Sequence, residues 1–191
     1  MNDMHHGRGV DGPPGAAVTA LVLLAMACGY LLAVRRVRRR NPAKDWNTWR
    51  TASFLTGSAL LGLALLPPLG PAAHVDFRGH MTQHMFVGMC APLAFVLAAP
   101  LTLLLRALPP ARARRVTTVL HSPAARVLAH PAMALLLSTG TMGLLYFTSR
   151  YNTAMRYPAG HWLMNAHFLT SGCLFAYAMP PSVLARPRGT A

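Results

Sequence analysis

Two short stretches bring together side chains that could hold a soft cation. The first runs from Gly79 to Met89 and reads GHMTQHMFVGM. His80 and His84 lie four residues apart, so on a helix they share one face and can reach one metal ion. At 1.5 Å of rise per residue, His84 sits about 6 Å further along the axis. The second runs from His161 to Phe168 and reads HWLMNAHF. Here His167 falls about 9 Å beyond His161, the two separated by about 120° around the helix with Met164 midway. Imidazole and thioether with no carboxylate among them form a soft to borderline donor set, which suits copper first and zinc second. The candidate metal ligands are therefore His80, His84, His161 and His167, with Met164, Met81 and Met85 as thioether neighbours. A plainer reading stands beside this one: an intramembrane imidazole can glue helices through a backbone carbonyl or Gln83, and Met is ordinary core filler. Met4, His5 and His6, with His74 and Asp76, could form a weak capture site on the way in.

The elements that must position these groups are apolar helices. The chain has 191 residues, 53% hydrophobic and only 12% charged, with a mean hydropathy of +0.35, which excludes an ordinary soluble domain of this size. A helix needs about 20 apolar residues to cross a bilayer. Five stretches approach that length without Asp, Glu, Lys or Arg: Ala16 to Val34, Thr51 to Leu69, Met81 to Leu105, Pro131 to Thr148 and Trp162 to Met179. The expected fold is all-α, a polytopic transmembrane helical bundle of about five spans. Its expected division is a flexible outer segment over residues 1–15, one bundle over 16–183 and a basic inner tail over 184–191. The first fifteen residues lack the basic region of a signal peptide.

Charge sets the orientation. There are 18 Lys plus Arg against 4 acids, a formal +14. Fourteen of the basic residues fall between Val34 and Arg50, between Arg106 and His130, or in the tail, while Arg8, Arg78, Arg150 and Arg156 fall on the other side. By the positive-inside rule the N-terminus lies outside and the C-terminus inside. The histidine pairs then open the third and fifth segments from outside. Basic clusters between apolar runs point to a bilayer partner, not nucleic acid.

Finer features give further expectations. Ser53, Gly57, Ser58 and Gly62 form overlapping pairs of small residues that allow close helix approach. Trp46 and Trp49 beside Arg50 read as an interfacial aromatic belt at the inner boundary, with Tyr146 and Tyr151 at the outer one. Pro92 and Pro100 predict a kink and free the carbonyls of Gly88 and Val96. Cys28, Cys90 and Cys173 are each isolated, which argues against a thiol-exchange carrier or a disulfide framework. No G-x-S-x-G, phosphate loop or H-E-x-x-H occurs, so no enzyme is expected.

These stretches resemble the CtaG-type cytochrome c oxidase assembly proteins of bacterial plasma membranes. The likeness rests on HMTQHM followed by APLAFVLAAPLTLLLRALP, on HPAMALLLSTGTMGLLYFT and on HWLMNAHFLTSGCLFAY, in that order, and covers about Gly79 to Pro180. Familiar members continue through one or two more apolar segments, so the chain reads as a short or C-terminally truncated member. The resemblance implies a multi-pass plasma-membrane protein that works with cytochrome c oxidase subunits, in copper supply to a haem-copper oxidase. Two alternatives stay open. A haem-binding membrane electron carrier is weakened because an i, i+4 pair on one helix cannot supply both axial ligands of one haem. A copper transporter would need ligands in the inner halves of the segments, where none is evident.

Overall fold

A computed structural model describes residues 13–40, 46–67, 69, 77–140, 143 and 158–178. Every regular element among them is helical. In chain order they are α1 (Pro13–Arg40), α2 (Thr48–Leu65), α3 (Phe77–Met85), a π-helical turn (Phe86–Cys90), α4 (Ala91–Leu97), α5 (Pro100–Ala107), α6 (Pro110–Leu120), α7 (Pro123–Leu128), α8 (Pro131–Leu135), a second π-helical turn (Leu136–Gly140) and α9 (Pro158–Ala178).

Local chemistry explains the boundaries. Asn47 caps α2, its side chain accepting from the Trp49 amide at 3.0 Å. Proline opens α5, α6, α7, α8 and α9, where its missing N–H costs nothing and its fixed φ starts the turn. Ser122 and His130 cap α7 and α8 in the same way as Asn47, accepting from Ala125 and Ala132.

α1 is long and apolar enough to cross a membrane on its own, and it turns Leu21, Leu24 and Leu32 outward, away from the other helices. Among the described residues, the pair from Met81 to Leu97 and from Pro100 to Ala107, bent by 42°, would make a second such span. The expected first, second and fifth segments each coincide with one helix. The third is broken, and the fourth is described only over Pro131–Leu135 and Leu136–Gly140.

Packing centres on α4, which lies against α2 on one side and α9 on the other, while α1 covers α2 and α5. On α2, Ser53, Phe54, Gly57, Leu61 and Ala64 are buried along one stripe. A Cβ on Gly57 would stand 3.1 Å from Phe95 and 3.2 Å from Ala94 of α4, and one on Gly62 would stand 3.5 Å from Leu23 of α1. The small residues thus serve two different neighbours, as the sequence pattern suggested.

The kink sits at Ala99, in the left-handed conformation at φ 47°. Pro100 disfavours the right-handed helical region for its predecessor, and only a residue that steps out of it can end α4 and restart α5. The Ala98 carbonyl exposed by this break accepts from the Tyr30 hydroxyl at 3.1 Å, and Trp46 Nε1 donates to the Tyr30 oxygen at 3.3 Å. The other freed carbonyl, Val96, is taken by the Ala99 amide at 3.0 Å. Tyr30 stacks on Phe54 at 3.9 Å between centroids. Trp46 is 1% exposed, with the guanidinium groups of Arg50 and Arg106 at 5.0 and 5.6 Å from its ring centroid. That corrects one expectation: Trp49 is exposed as a boundary residue should be, but Trp46 is a core residue that locks the kink.

Candidate metal centre

α9 packs along the first π-helical turn and α4, running in the same direction, and meets α3 at its last turn. His84 meets Phe168 edge to face, with centroids 4.6 Å apart and planes at 87°. One turn deeper, a Cβ on Gly172 would collide with the Gly88 carbonyl oxygen and approach Pro92 Cγ to 2.7 Å. Contacts that advance together along both chains fix direction and register. By that register His84 is level with Phe168 and Gly88 with Gly172.

Gly172 is what lets the helices meet this closely. Pro92 cannot donate to the Gly88 carbonyl, so that oxygen is left to face α9, where only a glycine leaves room for it. Gly88 itself has open space where a Cβ would stand, so the requirement falls on one partner only.

His167 reaches the other way, towards the second π-helical turn, and its Nε2 lies 3.3 Å from the Leu137 carbonyl oxygen. A carbonyl only accepts, so Nε2 is the nitrogen that donates here. A backbone carbonyl that fixes the tautomer and orientation of an imidazole is the outer-shell support typical of metal-binding histidines. His167 also touches Phe168, with centroids 5.9 Å apart. Both imidazoles therefore adjoin a single buried phenyl ring.

The remaining candidates divide. Met164 is half-buried against the core cluster beside Phe168. Met81 and Met85 are 42% and 54% exposed and continue to Met89 along an outward face, so the contact between α3 and α9 does not include them. The side chains of His80 and His161 lie outside the described residues, as do Met4, His5, His6, His74, Asp76, Tyr146 and Tyr151. Among the described residues no three His, Cys, Asp or Glu side chains converge on one point. Gln83 points to neither histidine pair. It is buried and donates from Nε2 to the Ala64 carbonyl at 3.1 Å, satisfying one of the last acceptors of α2. Neither π-helical turn was legible in the residue pattern, yet both face α9, and such turns recur at functional sites.

The model of the cytochrome c oxidase caa3 assembly factor family matches residues 28–190. The chain belongs to that family. An uncharacterised protein of Mycobacterium bovis is 35% identical over 163 residues, 82% of this chain and 24% of that protein. One of Mycobacterium leprae is 33% identical over 168 residues, 84% of this chain and 25% of its own length. The chain thus spans about a quarter of the curated relatives it matches. No solved structure matches it.

Proposed function

We propose that this chain is a multi-pass protein of the bacterial plasma membrane, N-terminus outside and C-terminus inside, that helps assemble a haem-copper cytochrome c oxidase. It does so without catalysis, by binding copper as cargo near the outer face and passing it to an oxidase subunit. His84 and His167 are the central ligands, His80 and His161 extend the set outward, and Met164 supplies a thioether. Met81 and Met85, on the outward face, lie on the approach to it.

The observation that carries the reading is that His84 from α3 and His167 from α9 each adjoin the Phe168 ring. The donor set fits: imidazole and thioether beside Phe168 favour a soft cation, with no acid among them to attract a hard one. The bond from His167 to Leu137 supports it further by orienting the imidazole. Family membership supports the oxidase, and the outward leucines of α1 support the bilayer.

The test is genetic complementation. A strain lacking the gene, carrying a His84→Ala/His167→Ala variant, should yield oxidase with normal haem but a copper content at least severalfold below that restored by wild type. Fully metallated oxidase from the variant strain would overturn the copper reading.

A further inference from the structure

The basic stretch between α5 and α8 folds as two helices, α6 and α7, in which no residue is buried. Ala113, Val116 and Leu120 are half-buried along one side of α6. Arg112, Arg115 and Val119 follow each other at i, i+3 and i+7 on an adjacent, exposed line, and Val119 is 65% exposed. Val127 and Leu128 of α7 are exposed as well. The turn between the helices is held by Arg126, which donates to the His121 carbonyl at 3.3 Å, and by the Ser122 cap.

This hairpin is joined to a larger basic surface. Arg40, at the end of α1, donates to the Ala107 carbonyl at 3.3 Å, three residues before α6 begins, so the exposed arginines of α1 stand beside it. No acidic residue occurs anywhere after Asp76. Exposed arginines with aliphatic side chains interleaved, on a hairpin that itself carries no carboxylate, match a surface that is anionic at the rim and apolar just beneath.

We propose that α6 and α7 lie on the inner leaflet as an interfacial anchor, Arg112 and Arg115 holding anionic phospholipid headgroups while Val119, Val127 and Leu128 dip below them. The proposal rests on the membrane-spanning, N-outside reading above. Arginine stems extend along the apolar boundary while their guanidinium groups take phosphate oxygens in paired hydrogen bonds. The anchor fixes the height of α5, and through it the kink at Ala99, relative to the bilayer.

The test is amide hydrogen exchange of the full chain in lipid nanodiscs, phosphatidylcholine alone against phosphatidylcholine with one third phosphatidylglycerol. Amides over residues 111–128 should exchange at least about tenfold more slowly with the anionic lipid. High salt should weaken that protection, and an Arg112→Gln/Arg115→Gln variant should abolish it. Equal exchange in both discs overturns the proposal. Protection that arises only on adding purified oxidase assigns the surface to an acidic protein face and overturns it too. The amides of α2 separate the two claims: if they are unprotected in every disc, the membrane-spanning reading has failed, and the anchor with it.

Discussion

The two ends of the bundle use aromatic rings and ring nitrogens in different ways. At the kink end, Trp46 donates to Tyr30 and Tyr30 donates to Ala98, so the indole N–H and the hydroxyl proton are both consumed within the protein. Arg50 and Arg106 close over the indole. At the histidine end, His167 spends one nitrogen on Leu137 and keeps the other. His84 stands perpendicular to the Phe168 ring. A network that saturates its own polar groups stabilises a fold. On the copper reading proposed above, the second end serves a metal instead, so substitutions at the first end should change stability and those at the second should change metal content.

Trp46→Ala should have the largest effect, removing a fully buried indole and leaving Tyr30 without its donor, at about 4 kcal/mol. Thermal unfolding in detergent would show this, with copper per folded molecule unchanged. Gly172→Val comes next, at about 3 kcal/mol, because a Cβ there meets backbone that cannot yield. Gly88→Ala is its control and should shift stability by less than about 1 kcal/mol, since nothing lies within 4 Å of that Cβ. Tyr30→Phe should cost about 1 kcal/mol, the usual worth of a hydrogen bond between membrane helices. Smallest in stability is His84→Ala/His167→Ala, at about 1 kcal/mol or less, yet it should have the largest effect on copper. If that variant unfolded as readily as Trp46→Ala, the contrast between the two ends would collapse.

Much of this was legible in the residues, because apolar length and proline placement act locally. The apolar runs located α1, α2 and α9, and Pro100 located the kink. The helix nevertheless continues past Val34 to Arg40, because Val34 and Val37 remain buried between exposed arginines. The matching histidines suggested two helices running in the same direction, but α9 packs on the first π-helical turn and α4, in a register that depends on Gly172 fitting under Gly88, which spacing along one chain cannot express. Trp46 was misjudged for a related reason. A Trp beside Arg at a helix boundary looks the same whether it faces lipid or, as here, turns inward to a tyrosine sixteen residues earlier. Met81 and Met85 share a sequence window with His84, yet the helix turns them to another face.

Copper content of the purified chain tests the central claim most directly. Detergent-purified protein would be loaded with copper, desalted and assayed for metal, wild type against a His80→Ala, His84→Ala, His167→Ala variant matched for helicity and unfolding temperature. The account predicts near-stoichiometric copper on wild type and loss of most of it from the variant. Equal retention by both, or none by either, would contradict it and leave these histidines as helix-packing residues.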